Sequence, residues 1–311
     1  MGVTLNDLPP VKGRITVGAA LGQVGWFKAG GTAEFLFKPA DENDLKEFLQ
    51  NLPKEIPVSV FGVLSNTIIR DGGVKGVVIR LGREFAGAET INDTEIRAGA
   101  ACLDLNVASF AAERGLGGLE FLSGVPGTIG GALKMNAGAY GREMKDVLIT
   151  AHGIDRQGQA HEFTNADMGF SYRHSSLPED IIFTHALLRG EQEDVEVIKA
   201  RLQEIKDKRE ASQPIKEKTG GSTFANPSDQ ELIKAGLPPG IKSWQLVDKV
   251  GGRGLTIGGA MMSELHANFM INKGDATAAD LENLGNEIKR RVKEQCGIDL
   301  RWEIKRIGSA T

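Results

Sequence analysis

The 311-residue chain has few cysteines and no excess of basic residues, which argues against several common classes of protein. Its two cysteines, Cys102 and Cys296, share no metal-type spacing and indicate no disulfide framework, so we interpret both as buried thiols in a reducing compartment. The net charge is -4, and no long basic block occurs. Because nucleic acid backbones require clustered lysine and arginine, we expect no nucleic acid partner.

Long hydrophobic runs are also missing from the sequence. No stretch approaches the roughly 20 apolar residues that cross a bilayer, so no membrane span is predicted. The N-terminal segment MGVTLNDLPPVKGRITVG has no apolar core of signal-peptide length, and we expect a cytoplasmic protein. Because no cluster with metal-ligand spacing occurs, the sequence predicts no metal site.

Glycine, by contrast, is abundant. The chain has 40 glycines, well above the usual share of about 7%. They are scattered through apolar segments, which indicates turns and close backbone approaches rather than disorder. With 41% hydrophobic residues, the chain is long enough for two or three subdomains, each with a core of its own.

The densest glycine cluster lies in residues 121–141, FLSGVPGTIGGALKMNAGAYG. Since each glycine inside a helix costs about 1 kcal/mol relative to alanine, we predict that this run is not an ordinary helix. One interpretation is a backbone that approaches a ligand closely and directs its amides at phosphate oxygens. The other is a tight corner between packed elements.

The order of predicted elements divides the chain into three parts, 1–82, 83–213 and 214–311. The first part begins with a weakly patterned arm over residues 1–25 and continues as a small β-α-β-β block. The second is mostly β with glycine-rich connections and ends in an amphipathic helix over 193–211. The third mixes short helices and strands, so the fold class is α+β.

Helix caps and strand periodicity predict individual elements within these parts. Asp41 is the N-cap of a short helix, and Ser228 with Glu231 forms a capping box for another. Thr277 begins the longest helix of the third part. Residues 299–308, DLRWEIKRIG, alternate apolar and polar side chains, which predicts a strand with one apolar face.

Five sites carry polar groups that are suited to ligand binding or catalysis. They are GVLSN at 62–66, FSYRHSS at 170–176, KTGGSTFANP at 218–227, ELHANF at 264–269 and Glu303. The first lacks both the Gly-Lys-Ser/Thr of a Walker loop and the spacing of a dinucleotide fingerprint. The structural alternatives are a plain β-turn, a surface loop, a capped turn and, for Glu303, a solvated strand face.

Three residues of these sites have a specific chemical interpretation. Arg173 can clamp a carboxylate with two parallel hydrogen bonds. Ser222 lacks the histidine and aspartate spacing of a catalytic triad, but a charged neighbour can polarise its hydroxyl for proton delivery. Glu303 lies on the polar face of the predicted last strand and is interpreted as solvated by default.

Taken in order, WFKAGG, GVLSN, SGVPGTIGGALKMNAGAYG, FSYRHS, KTGGSTFANP, SELHANF and WEIKRIG resemble the UDP-N-acetylenolpyruvoylglucosamine reductases of peptidoglycan precursor synthesis. The resemblance spans about residues 26–307. It implies the two-subdomain FAD-binding fold of the vanillyl-alcohol oxidase type, followed by a C-terminal α+β substrate-binding domain. It also implies a non-covalent FAD, NADPH as hydride donor and UDP-N-acetylglucosamine enolpyruvate as substrate.

The resemblance also implies roles for individual residues. The residues expected to contact FAD are Gly30, Gly62, Ser65, Asn66, Gly124, Pro126, Gly127, Thr128, Gly130, Gly131, Asn136, Ala137 and Gly138. The catalytic residues would be Arg173, Ser222 and Glu303. The substrate would be contacted by Tyr172, Lys218, Asn226 and Glu264.

The sequence departs from the family pattern at several positions. Leu64 stands where the family has the second glycine of G-x-G-S-N, and Ala225 replaces a lysine or arginine before Asn226. No tyrosine follows Tyr172, so the tyrosine loop of the long-form enzymes has no counterpart. Two alternatives remain at this point: another FAD oxidoreductase of the same fold that acts on an alcohol or sugar, and a non-catalytic protein that binds sugar nucleotides.

Overall fold

The structure is a computed structural model that describes residues 3–310. Its α-helices are α1 Leu21–Val24, α2 Glu42–Asn51, α3 Asp104–Ala112, α4 Ile129–Met135, α5 Val195–Ser212, α6 Asp229–Lys234, α7 Ser243–Lys249 and α8 Ala278–Cys296. Its strands are β1 Arg14–Ala19, β2 Ala33–Lys38, β3 Val58–Val60, β4 Thr67–Ile69, β5 Val74–Ile79, β6 Ala88–Asn92, β7 Glu95–Gly99, β8 Leu116–Gly117, β9 Gly138–Ala139, β10 Arg142–Glu143, β11 Leu148–Ile154, β12 Ala160–Thr164, β13 Ile182–Arg189, β14 Glu191–Gln192, β15 Lys218–Thr219, β16 Thr256–Ile257, β17 Ala260–Met262, β18 Met270–Asn272 and β19 Lys305–Ile307.

The chain forms two compact units that interleave along the sequence. The first combines the described residues up to Ala19 with Glu34–Val63 and Lys75–Lys208. The second combines Ala20–Ala33 and Leu64–Val74 with the described residues from Arg209 onward. Two short segments from the N-terminal part of the sequence therefore belong to the unit of the C-terminal part.

The first unit contains two sheets. A four-stranded sheet has the order β1-β2-β5-β3, and a five-stranded sheet has the order β12-β11-β13-β7-β6. In the four-stranded sheet β3 and β5 run parallel, whereas the larger sheet is antiparallel. Phe37 and Phe48 lie in the core between the small sheet and α2, with ring centroids 4.2 Å apart.

A second core of the first unit packs α3 and α4 against the large sheet. It includes Ile96, Val107, Ile129, Leu133 and Ala186, all of which are buried. Two two-stranded pairs, β9 with β10 and β8 with β14, complete this unit. The glycine-rich stretch runs along this core.

The second unit has an antiparallel sheet of order β15-β18-β17-β16 and a parallel pair formed by β4 and β19. Its core places Phe27 and Ile68 among residues of α7, α8 and the sheet. Burying these two side chains explains why their segments belong to this unit, since each large apolar side chain contributes about 1.5–3 kcal/mol when removed from water.

Most of the predicted caps are confirmed. Asp41 accepts a hydrogen bond from the Asp44 amide, and the capping boxes that begin at Ser228 and Thr277 both form. After the longest helix, Gly297 has φ +71°, a conformation that glycine adopts without steric penalty.

The run 121–141 is not one ordinary helix, as predicted, but part of it is helical: α4 occupies Ile129–Met135 and includes Gly130 and Gly131. Packing explains the helix. A Cβ at Gly130 would lie 3.2 Å from both the Cβ and the carbonyl oxygen of Ala100, so glycine lets the helix pack closely against Ala100 without a shift of either backbone.

Two further predictions are only partly right. Residues 14–19, predicted as part of a weakly patterned arm, form strand β1, and residues 1 and 2 of that arm lie outside the described residues. Of the predicted strand 299–308, only β19 pairs regularly. Upstream of β19, the amides of Glu303 and Ile304 both donate to the Thr223 carbonyl oxygen, and this shared acceptor interrupts the ladder.

The three-part division at residues 82 and 213 stays a prediction. The described residues contain three separate hydrophobic cores, two in the first unit and one in the second. The α+β class is confirmed by the mixed content of helices and antiparallel sheets.

Candidate functional site

The structure brings together two of the predicted phosphate-binding segments of the first unit. Gly62 ends the turn after β3, and Thr128 precedes α4. A Cβ at Gly62 would lie 2.5 Å from Thr128 Oγ1, closer than non-bonded heavy atoms approach. A side chain at position 62 would therefore force the Thr128 side chain to move, although the two segments lie far apart in the sequence.

Several backbone amides near this contact lack a hydrogen-bond partner within the described part of the protein. Among the described residues, the amides of Gly127, Thr128 and Gly131 have no intramolecular hydrogen-bond acceptor. The amides of Ile129 and Gly130, in contrast, donate to the carbonyl oxygens of Cys102 and Ala100 at 3.0 and 2.9 Å. Unpaired amides of a loop bind anions, and the contact of this segment with the FAD pyrophosphate stays a prediction.

The predicted cofactor glycines differ in what surrounds them. Gly131 is exposed, and a Cβ there would meet only Thr128 Oγ1, at 3.9 Å. Gly124 and Gly138 are instead required by packing, since a Cβ at Gly124 would lie 2.7 Å from the Tyr140 ring and one at Gly138 would lie 2.6 Å from the Arg142 carbonyl oxygen. Thus Gly131, rather than Gly130, faces open space.

Two other predicted cofactor residues lie on either side of α4. Pro126 is half-buried in the loop before the helix. Ala137 follows the helix, and its amide donates to the Ala132 carbonyl oxygen at 2.9 Å. The amide of Met144 in turn donates to the Ala137 carbonyl oxygen, which fixes the backbone of the segment.

Arg173 lies in a tight turn of the first unit. Ser171 and His174 exchange backbone hydrogen bonds of 3.0 and 3.2 Å, with Tyr172 and Arg173 between them. Arg173 has φ +56°, a conformation that turns normally assign to glycine or asparagine. Its Nη2 donates to the Gly138 carbonyl oxygen at 3.0 Å.

Tyr172, the other central residue of this turn, lies beside the arginine. The Arg173 guanidinium carbon is 5.1 Å from the centre of the Tyr172 ring, within the range of a cation–π contact. Tyr172 is about half exposed. A non-glycine residue in a strained conformation often marks a functional position.

In the second unit the segment of Ser222 and the segment of Glu303, two predicted catalytic residues, are joined by a backbone hydrogen bond. The Glu303 amide donates to the carbonyl oxygen of Thr223, the residue after Ser222, at 2.9 Å. Asn268 fixes this segment from the other side. Its carbonyl oxygen accepts from the Thr223 amide at 2.7 Å, and its side chain exchanges two hydrogen bonds with the Phe224 backbone.

Asn66 lies against the same two segments. Its Nδ2 donates to the Glu303 carbonyl oxygen at 3.1 Å, and its carbonyl oxygen accepts from the Lys305 amide at 3.0 Å. A Cβ at Gly221 would lie 3.3 Å from Asn66 Oδ1, and the Gly221 amide donates to the Ser65 carbonyl oxygen. Ser65 and Asn66, predicted to contact FAD, therefore contact the backbone that carries the predicted catalytic residues.

Leu64 precedes these residues and shows why the family pattern has glycine there. It has φ +55° and is 4% exposed. Its left-handed conformation is sterically unfavourable for a residue with a Cβ, and glycine would adopt it freely. Gly30 has a different constraint, since a Cβ there would lie only 1.8 Å from the Ile69 carbonyl oxygen.

The predicted substrate residues of the second unit each have different structural surroundings. Lys218 lies exposed in β15, opposite Asn272. Asn226 Oδ1 accepts from the Ser243 amide at 3.0 Å and so caps α7. Glu264 is exposed, and its carbonyl oxygen accepts from Arg253.

One buried acid, Asp104, has no functional signal in the sequence. Asp104 begins α3, is fully buried, and neither of its carboxylate oxygens has a hydrogen-bond partner among the described residues. Burial raises the pKa of this carboxyl well above its ordinary value. Its amide donates to the Gly127 carbonyl oxygen at 3.2 Å, so its backbone is joined to the loop that carries the unpaired amides. An aspartate that begins a helix resembles an ordinary cap, and the sequence carries no signal to distinguish it.

Metal-binding clusters and membrane-spanning helices are both absent from the described part of the chain. Across residues 3–310, no three side chains of histidine, cysteine, aspartate or glutamate form a group that could hold a metal ion. Within the same range, no helix combines the length and the apolar character of a membrane span.

Comparison with known families assigns the class of the protein first. Residues 33–164 match the FAD binding domain family, and residues 213–307 match the C-terminal domain of UDP-N-acetylenolpyruvoylglucosamine reductase. The first match contains both Gly62 and Thr128. The protein is therefore a flavoprotein with an FAD-binding part and a C-terminal domain, as the sequence analysis predicted.

Comparison with whole proteins then gives the family. The UDP-N-acetylenolpyruvoylglucosamine reductase of Parvibaculum lavamentivorans is 54% identical over 304 residues, which cover 98% of this chain and 94% of the relative. That of Rhodospirillum rubrum is 53% identical over 98% and 93% of the two chains. The crystal structure of the Thermus caldophilus reductase superposes with a TM-score of 0.79 at 33% identity, covering 96% of this chain and all of that one. The chain belongs to the UDP-N-acetylenolpyruvoylglucosamine reductase family.

Proposed function

We propose that this protein catalyses the FAD-dependent and NADPH-dependent reduction of UDP-N-acetylglucosamine enolpyruvate to UDP-N-acetylmuramate, a step of peptidoglycan precursor synthesis. The observation that carries the proposal is the full-length relation to reductases of that name. A cytoplasmic location, where a nucleotide-sugar precursor and NADPH are available, belongs to the same proposal.

The cradle of unpaired amides at Gly127, Thr128 and Gly131 supports the assignment of the FAD pyrophosphate to the first unit. Gly62 lines this cradle, and none of the predicted cofactor contacts is a cysteine or histidine that could bond covalently to a flavin. When bound, FAD supplies the chemistry of hydride transfer from NADPH to the substrate. The residues of this chain bind, orient and polarise the reactants.

Arg173 and Ser222 have complementary roles in this proposal. Hydride addition at C3 of an enolpyruvyl ether places negative charge on C2 and on the adjacent carboxylate. The Arg173 guanidinium, held by Gly138, stabilises that charge and binds the carboxylate through two hydrogen bonds. The Ser222 hydroxyl then donates a proton to C2.

Glu303 orients this proton donor. Its backbone is tied to the Ser222 segment through Thr223 and to Asn66 through its own carbonyl oxygen. A carboxylate at this position polarises the serine hydroxyl, but it also repels the negatively charged substrate. The carboxyl therefore functions best when it shares a proton, because the shared proton weakens that repulsion.

An anaerobic assay tests the proposed function. The purified flavoprotein is reduced with one equivalent of NADPH, UDP-N-acetylglucosamine enolpyruvate is added, and the visible absorbance of the flavin is followed. We expect rapid reoxidation with formation of UDP-N-acetylmuramate. Reduced flavin that is not reoxidised by this substrate but reacts rapidly with oxygen would identify an oxidase of another substrate class instead.

A further inference from the structure

Asn136 occupies an unusual position in the first unit. It directly follows α4, is 0% exposed, and has φ +42°. A buried amide must find partners for its two N–H donors and its carbonyl acceptor, because leaving one unpaired costs about 1–3 kcal/mol. Three hydrogen bonds are therefore required at this position.

All three hydrogen bonds of the Asn136 side chain go to other residues of the chain. Its Nδ2 donates to Glu143 Oε2 at 2.9 Å and to the Ser171 carbonyl oxygen at 3.0 Å. Its Oδ1 accepts from the Lys145 amide at 3.0 Å. The amide is thus committed to these three partners, which leaves no N–H group for a cofactor.

The contact with Ser171 matters because this residue begins the strained turn of Arg173. A non-glycine residue at positive φ persists only where the surroundings over-determine its conformation, at an expense of about 1–3 kcal/mol. Two contacts from one short segment hold the turn. Asn136 binds the carbonyl oxygen of Ser171, and two residues further on Gly138 accepts from the Arg173 guanidinium.

We propose that Asn136 is a positioning residue that holds the turn of Arg173, rather than a contact of the cofactor. This inference rests on the proposed function, in which Arg173 binds the substrate carboxylate. In this inference the Asn136 side chain, which does not touch the substrate, holds the Arg173 guanidinium in its conformation. Loss of the Ser171 contact lets the turn relax, and the guanidinium no longer meets the carboxylate in the geometry that two parallel hydrogen bonds require.

A pair of substitutions isolates the contact with Ser171. In Asn136→Asp the new carboxylate still accepts from the Lys145 amide, but it cannot donate and it repels Glu143. Adding Glu143→Gln provides an amide that donates to this carboxylate, so the double variant regains the contact between positions 136 and 143. Both this variant and Glu143→Gln lose the ion pair of Glu143 with Lys145, so the two differ in the hydrogen bond to the Ser171 carbonyl oxygen. Glu143→Gln alone retains all three contacts of Asn136 and is the matched control.

For the double variant we expect full flavin content and a rate of flavin reduction by NADPH within about twofold of the wild type. Reoxidation by the enolpyruvyl substrate should slow, or its KM should rise, by about tenfold, equivalent to one lost hydrogen bond of about 1.4 kcal/mol. Flavin-depleted protein would overturn the proposal in favour of a cofactor contact. Equal slowing of both half-reactions, or no change in either, would also overturn it.

A second variant covers the case in which the double variant does not fold. Asn136→Gly suits the positive φ of this position and removes the side chain altogether. The proposal requires the same separation of the half-reactions in this variant. If the wild-type protein itself failed to reoxidise with the substrate, the proposed function would be wrong, whereas the inference about Asn136 fails when the wild type reacts and both variants match it.

Discussion

Gly62 and Thr128 approach each other so closely that a Cβ on the glycine would lie 2.5 Å from the threonine Oγ1. This contact joins the turn after β3 to the loop before α4, and the unpaired amides of Gly127, Thr128 and Gly131 lie beside it, in that loop and the first turn of the helix. A ligand with a diphosphate group fits such a surface, since backbone amides neutralise oxygen anions without a cationic side chain.

Gly131→Leu should separate cofactor binding from folding. Gly131 faces open space in a helix, where leucine is favoured over glycine by about 1 kcal/mol, so the flavin-free protein should be as stable as the wild type or more stable. The new side chain would occupy the space above the unpaired amides, and we expect at least a tenfold loss of FAD affinity. Thermal unfolding and flavin titration measure the two effects.

Gly87→Leu is the control for this substitution, because a Cβ at Gly87 meets no atom within 4 Å and one at Gly131 would meet only Thr128 Oγ1, at 3.9 Å. It lies outside the proposed cradle and should leave FAD affinity unchanged. Normal flavin binding by Gly131→Leu would show that the amides next to it do not hold the pyrophosphate.

At position 64, glycine should be a less destabilising substitute than alanine, which is the reverse of the usual order. Leu64→Ala loses a buried side chain, at about 2–5 kcal/mol, and keeps the strain of φ +55°. Leu64→Gly loses the same side chain but relieves about 1–2 kcal/mol of that strain. We therefore expect the glycine variant to be the more stable of the two by about 1 kcal/mol, measured by urea unfolding.

The comparison for Leu64 is with Leu36, a buried leucine of β2 at ordinary backbone angles. There, alanine should be more stable than glycine, since glycine weakens a strand. An identical order at both positions would mean that the left-handed conformation of Leu64 carries no strain.

Ser222→Ala should affect only one half-reaction. The proton at C2 is needed after hydride has reached the substrate, so reduction of the flavin by NADPH should stay within about twofold of the wild-type rate. Reoxidation by the enolpyruvyl substrate should slow by about 100-fold or more, as is typical for the loss of a positioned general acid. Stopped-flow absorbance of the flavin measures each half-reaction separately.

Ser228→Ala is the matched control, because it removes a serine hydroxyl that caps α6 in the same unit. It should lower stability by about 1 kcal/mol and leave both half-reactions intact. Equal slowing of both half-reactions by Ser222→Ala would assign that serine a structural role in the flavin site.

Asp104 should make stability fall as the pH rises. The pKa of this buried carboxyl lies well above its ordinary value of 3.8, so in the range above pH 3.8 the unfolded chain ionises while the folded one stays neutral. The unfolded state then binds fewer protons, and the free energy of unfolding decreases with pH until the folded carboxyl ionises as well. Asp104→Asn removes this dependence, and its stability relative to the wild type should increase as the pH rises above that value.

The measurement for Asp104 is the free energy of unfolding by urea at several pH values. Glu113→Gln, at an exposed position just after α3, controls for a general change in charge and should leave the pH dependence of the wild type unchanged. If Asp104→Asn followed the wild-type curve at every pH, the carboxyl would have to be ionised in the folded protein.

Much of the local structure follows from the sequence alone. Capping residues such as Asp41 and Thr277 determine where helices begin, because their side chains satisfy amides within the next three residues. The order of the glycine-rich and polar motifs was sufficient to identify the family, and the comparisons confirm it. These signals are short-range, so each is complete within a few residues of sequence.

The tertiary structure decided the features that depend on distant partners. Gly130 lies in a helix because Ala100 packs against it, and Asn66 lies beside Glu303 because Phe27 and Ile68 bury their segments in the second unit. The left-handed angles of Leu64 and Arg173 likewise have no local signature. In each case the stabilising contact comes from a remote part of the chain, so the neighbouring residues in the sequence do not predict the feature.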